Sequence, residues 1–256
     1  MTSPPASKSV PPLEVPATLD DRGTVRRDAV RAGRWSISGT VKVAGDVEAR
    51  EVIARGQVTV GGKARAGAFQ TRGTVDVSGP VEVQGLFLVH GTLRAAATVH
   101  AVDLTVEGIA RSAGTVKVDR VASVVGTLDA PEVAAGAFRL QGVARIPGTL
   151  RAVEVSAELK DTSRFGPVIA REVRIHGKPS NLVDKALFHD RNVSVDRIEA
   201  DSVDLEGVKV AFIRSPRIIL GRDCHVTEVE GTIVRRHPSS HVGPESRTPP
   251  PYGLRR

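Results

Sequence analysis

The sequence predicts an all-β fold of the parallel β-solenoid class, in which short strands coil into stacked rungs. Three observations carry this. Glycines recur at 39, 56, 73, 91, 108, 126 and 142, in steps of 16 to 18 residues. Apolar residues keep the same beat in columns. Aromatic residues make up only 3% of the chain, which suits a thin core repeated many times better than one thick core.

The columns define the rung. One runs Val47, Ala64, Val81, Val99, Val116, Val133, Leu150, and a second Val52, Phe69, Leu86, Leu104, Val121, Phe138, Val155. A third runs Val41, Val58, Val75, Leu93, Ala110, Leu128, Ala144. Within a repeat they lie five or six residues apart, so each rung of about 17 residues offers three short strands and three corners. Strands such as TVKVAGDVEA alternate Val or Ala inward with Lys, Asp, Glu or Thr outward. Glycine at the corners supplies backbone angles closed to β-branched residues. A single repeat cannot bury its apolar face, whereas stacked repeats pair their backbones about 4.8 Å apart and make each column continuous.

Five segments follow. Residues 1–35 read as a disordered Pro-rich tail, 36–159 as about seven rungs and 160–192 as an irregular connector with one strand, VIAREVRI, and a short helix, NLVDKALF. In 193–234 the rungs resume, with Val193, Val195, Ile198, Val203, Leu205, Val210, Ile218, Leu220, Val226 and Val229 inward; these rungs either continue the first rod or form a second one. Residues 235–256 read as a disordered basic tail. Each tail holds five of the 16 prolines. Residues 1–36 carry six Lys/Arg against four Asp/Glu, and 235–256 five Arg against one Glu, which leaves the body one of the seven net positive charges.

Residues 37–85, ISGTVKVAGDVEAREVIARGQVTVGGKARAGAFQTRGTVDVSGPVEVQG, resemble a bactofilin, a polymer-forming cytoskeletal protein whose glycine-punctuated stretches follow G-x-[IV]-x-[IV]-x-G-x-[IV]-x-[AG]. The resemblance covers about residues 36–157. Residues 198–231 are similar to the C-terminal part of a longer, two-block subgroup, with Ile198, Asp201, Leu205, Glu206, Arg214, Ile218, Leu220, Gly221, Cys224 and Val229 in the matching places. Ser215-Pro216 departs from the glycine more usual there. The resemblance implies a right-handed β-helix with disordered tails, and nucleotide-independent assembly into non-polar filaments, often at the membrane. It also implies roles in cell shape, localisation of wall enzymes, motility or chromosome positioning.

Sites for chemistry are sparse. GQVTVGGKA (56–64) lacks the Lys and the following Ser/Thr of a phosphate loop in the required places. Cys224-His225 is one pair, where a closed zinc site needs four ligands, and His90, His100, His176, His189, His237 and His241 have no ligand spacing. Glu199, Asp201, Asp204 and Glu206 read as a solvated strand face. No catalytic, cofactor-binding or metal residues are assigned and no cofactor is expected. The lone cysteine, the absence of an export signal and the absence of a 20-residue apolar run predict a cytoplasmic protein. A near-neutral body with few aromatics makes nucleic acid an unexpected partner. The basic tails could touch a membrane surface or client proteins, and PPPY (249–252) resembles a Pro-rich docking motif.

The expected function is that of a homopolymer, a structural scaffold stacking end to end, and not an enzyme. The candidate assembly ends are Trp35, Ile37, Val41 and Val43 on one side and Val226, Val229, Ile233 and Val234 on the other. A hexapeptide-repeat acyltransferase is the alternative; it requires a strict six-residue beat and a catalytic His on a protruding loop, whereas His90 and His100 fall within repeats. A monomeric adhesive or carbohydrate-binding solenoid is a third class, normally secreted.

Overall fold

A computed structural model describes residues 17–160, 162–177 and 193–243. All sixteen strands, β1 to β16, are parallel members of one sheet that winds into a solenoid of about 12 turns, consistent with a right-handed β-helix. At the usual strand spacing the rod is roughly 58 Å long.

The regular rungs are β1 (Thr18–Arg27), β2 (Val30–Val43), β3 (Val47–Val60), β4 (Ala64–Val77), β5 (Val81–Ala95), β6 (Val99–Ser112), β7 (Val116–Asp129) and β8 (Val133–Ile146). Hydrogen bonding runs unbroken through two of the three corners, so each of β2 to β8 covers three faces in 14 or 15 residues. In β3 the first face buries Val47 and Ala49, the second Val52 and Ala54, the third Val58 and Val60. Two inward residues per face fill the interior, mostly Val and Ala with single larger residues such as Phe69, Phe87 and Phe138 among them.

Glycine marks the corner between the second and third faces. Gly39, Gly56, Gly73, Gly91, Gly108, Gly126 and Gly142 all have φ between 125° and 142°. They stack directly, and a Cβ on any of them would stand 2.0–2.3 Å from the carbonyl oxygen of the glycine one rung earlier. Each glycine therefore excludes side chains from the next. The ladder stops where Leu159 stacks on Gly142, and there the sequence loses its beat.

The rod itself continues. After β9 (Leu150–Leu159), β10 (Ser163–Ile169) pairs with both β8 and β9, and β11 (Glu172–Gly177) pairs with β9. Then β12 (Val193–Glu199) and β13 (Ser202–Glu206) pair with β10 and β11, followed by β14 (Lys209–Leu220), β15 (His225–Arg236) and β16 (His241–Val242). The two blocks are thus one continuous stack, and much of the expected connector 160–192 is a full rung. Gly177 stacks on Leu159 at the corner between the second and third faces, and Val193 stacks on Ser163. The helix expected over 181–188 lies outside the described residues.

Both tail boundaries move outward. Thr18 to Arg27 form a rung rather than tail, and the strands extend to Val242 rather than ending at 234. Gly23-Thr24-Val25 stacks on Gly39-Thr40-Val41, a repeat visible in the sequence. Charged Asp21 and Arg27 at inward positions hide it from a search for apolar columns. Residues 1–16 and 244–256 lie outside the described residues.

The first column is buried as expected and extends from Val30 to Ile213. The second needs two corrections. Phe69 pairs with Phe87, not Leu86, and Leu104 with Ala122, not Val121. Three residues rather than two separate the faces in β5 and β7, as the register shifts after Val83 and Val118 record. Because side chains alternate with period 2, one extra corner residue turns Leu86 outward, 38% exposed, and brings Phe87 in, 0% exposed. Phe69 and Phe87 then pack as a tilted pair with centroids 5.2 Å apart.

Among the described residues, Thr71 Oγ1 is the buried side-chain polar atom without a hydrogen-bond partner. It sits between Ala54 and Val89 in an apolar column. Thr71→Val keeps the shape and removes a hydroxyl desolvated without return, so stability is expected to rise by about 1 kcal/mol. The midpoint of denaturant unfolding measures this, at unchanged slope.

Candidate functional site

The outer surface is a set of charge ladders. Parallel in-register stacking brings equivalent residues of successive rungs within about 5 Å, so a repeated charge would repel itself. Alternation relieves this at many positions: Arg31–Glu48 (3.1 Å), Arg65–Glu82 (2.6 Å), Asp76–Arg94 (3.3 Å) and Arg214–Glu230 (2.7 Å) each join neighbouring rungs, whereas Arg55 stacks on Arg72 and Arg94 on Arg111. These side chains are largely exposed and each pair stabilises little. Their effect is to fix register.

Residues with chemical potential are absorbed by this architecture. His90 Nδ1 lies 2.7 Å from Glu107 and His100 Nε2 3.1 Å from Asp119, both on strands rather than on protruding loops. Within GQVTVGGKA, the N–H groups of Gly61 and Gly62 donate to the carbonyls of Val43 and Gly45, and that of Lys63 donates to Asp46 Oδ1. These donors pair rungs and are not free to cradle a phosphate. Cys224 is fully buried, its thiol donating to the Leu205 carbonyl (3.3 Å), and burial pushes its pKa up. Asp204 faces His176 across 3.7 Å, and Glu199 accepts from Arg197 Nε (2.5 Å). Around Arg171, Glu172, Asp201 and Arg217 an open groove of mixed charge crosses the second face. No helix among the described residues is long and apolar enough to cross a membrane.

What remains is the pair of ends. Here too the expected residues are partly displaced. Trp35, Ile37, Val41 and Val43 are buried beneath β1, one rung inside the edge. Val226 is covered by Val242 of β16. Val229 and Ile233 are only partly buried, because no described strand lies beyond β15 on the first and second faces, and Val234, the extra residue at the register shift between Ile233 and Arg235, is 60% exposed.

The amino-terminal rung closes the core with charge. Arg27 donates to both carboxylate oxygens of Asp21, Nε to Oδ2 at 2.8 Å and Nη2 to Oδ1 at 2.5 Å, and Trp35 Nε1 donates to Oδ2 at 2.9 Å. Asp21 is buried, while the Arg27 side chain keeps 31% exposure. Inward charge on an edge strand discourages indiscriminate strand addition.

No family model, curated protein or solved structure matches the chain. The ends and their strands therefore carry the functional reading.

Hydrogen bonding to Arg27 holds the Asp21 carboxyl below its ordinary pKa. A depressed folded-state value means that the pair stabilises the fold above about pH 4, the unfolded value, and that this contribution fades as pH falls through the folded value. Asp21→Asn is expected to lose about 2 kcal/mol at pH 7, below the figure for a fully buried pair because Arg27 is partly solvated. Thermal unfolding of both proteins should converge as the pH drops toward 2. A difference that stays constant with pH would show that the charge contributes nothing.

Proposed function

We propose that this chain is a structural, non-enzymatic scaffold that self-assembles end to end into filaments without nucleotide. The single observation behind this is that, among the described residues, no strand pairs beyond β1 at one end of the rod or beyond β15 and β16 at the other. An in-register parallel edge is a template for another strand, and twelve rungs already repeat the same pairing within the chain. The glycine-punctuated rungs resemble those of bactofilins, which supports a cytoskeletal role such as cell shape or localisation of other proteins. We propose a cytoplasmic location, and a membrane surface or client proteins as partners of its tails.

Electron microscopy of purified full-length protein, without nucleotide, tests the reading. Long unbranched filaments are expected. Val229→Glu and Ile233→Glu should abolish them while leaving the β circular dichroism signal intact, because both residues lie at the edge. The same change at Val41, deep beneath β1, should instead unfold the amino-terminal rungs. A wild-type protein that stays monomeric at high concentration would overturn the proposal.

A further inference from the structure

The two ends are not equivalent, and their differences match. Positions on the second face can be followed strand by strand from β1 to β15, with Val234 an unpaired extra residue at the register shift between Ile233 and Arg235. The outward column that opens with Asp20 closes with Arg235. The neighbouring inward column opens with Asp21 and closes with Arg236. Acidic residues thus stand at one end, and basic residues at the other, of the same two columns.

The winding matches as well. Among the described residues the carboxyl-terminal edge reaches the third face with β16, one rung beyond β15. The amino-terminal edge starts on the second face with β1. If one copy continues the coil of another, β1 falls on β15 along the second face and on β16 along the third. One face, between Val229 and Val30 of the next copy, is then left without a described strand.

Resting on the assembly reading above, we propose that copies join head to tail, into a polar filament, with β1 of one copy adding in parallel to the β15–β16 edge of the next. Continuing the register sets Leu19 of the next copy over Ile233, Asp20 over Arg235 and Asp21 over Arg236. On the third face Val25 of the next copy lies over Ser240 and Arg27 over Val242. At strand spacing each acid–base pair is within ion-pair reach. Two contacts, Arg22 of the next copy over His237 and Arg26 over His241, set an arginine over a histidine, against two opposite-charge pairs. The isologous alternative fares worse, because it needs a tail-to-tail joint in which two Arg235-Arg236 pairs meet; at the other end Asp21 is already paired with Arg27 within each copy. This polarity differs from the non-polar filaments that the bactofilin resemblance implies.

The test is disulfide trapping in the full chain. Stacked parallel positions have Cα atoms about 5 Å apart, within disulfide range, and Asp20 and Arg235 are exposed. The buried Cys224 serves as a silent background. Under mild oxidation the double variant Asp20→Cys/Arg235→Cys should give a ladder of covalent dimers, trimers and longer species on denaturing gels. Each single variant alone should stay uncross-linked, while an equimolar mixture of the two singles should give dimers. Covalent dimers from either single variant would overturn the polar arrangement in favour of a two-fold joint, with the assembly reading intact. Filaments in the microscope without any cross-link would also overturn it. Monomers throughout, in wild type and variants, would sink the assembly reading itself. As a second readout, Asp20→Arg and Arg235→Asp should each raise the concentration needed for filaments at least tenfold, and their combination should restore it. Failure of the combination to restore assembly counts against the pairing.

Discussion

Phe87→Ala is expected to lower stability by about 3–5 kcal/mol, while Leu86→Ala, one residue earlier, changes it by about 0.5 kcal/mol or less. The two residues have similar hydrophobicity and adjacent positions, so the contrast isolates direction. Phe87 is fully buried and stacked between Phe69 and Leu104, in tilted contact with the first. Removing its ring opens a cavity that a wall of backbone hydrogen bonds cannot collapse into. Leu86 points outward from the corner, and truncating it leaves that packing untouched. Chemical denaturation of the two variants checks the prediction. Equal losses would mean that the corner of β5 does not carry the extra residue.

Gly108→Val is expected to be more damaging still. The position has φ of 134°, and an added Cβ would meet the Gly91 oxygen at 2.1 Å. Strained backbone alone costs about 1–3 kcal/mol. The steric clash adds to this, because relief requires moving backbone in two rungs rather than one side chain. We expect loss of the folded rod at 37 °C, or a split transition in which the rungs on either side of β6 unfold separately, as in other linear repeat architectures. Gly23→Ala is the control. Gly23 also has positive φ, 74°, but nothing lies within 4 Å of its added Cβ. A loss of only about 1 kcal/mol is expected there. Calorimetry of the two variants separates the stacking clash from the dihedral preference, and comparable losses would refute the clash.

Much of the fold was legible in the sequence because a solenoid writes its geometry in one dimension. The glycine ladder from Gly39 to Gly142 and the column from Val47 to Leu150 are the same period seen twice. Errors arose where a corner changed length by one residue, at Leu86 and Val121, since counting by 17 cannot tell on which side of a strand the extra residue falls. They arose again at the ends. Asp21 and Arg27 occupy inward positions, and a search for apolar columns discards them. Only the hydrogen bonds joining them to each other and to Trp35 show how a buried carboxylate is accommodated. The sequence reads VIAREVRI as one strand where the fold has parts of two, β10 and β11, and their place in the rod is hidden because Leu159 interrupts the glycine ladder and the segment after Gly177 interrupts the count.

Local chemistry, then, was enough to dictate the winding: glycine where no side chain fits, Val and Ala facing in, alternating charge facing out. Those preferences act between residues about 17 apart and survive in a linear string. How far the described winding runs, whether it is one rod or two, and which residues stand on its outermost described strands were decided only in three dimensions. Those features depend on the register summed over every rung, and a single added residue at any corner resets that sum.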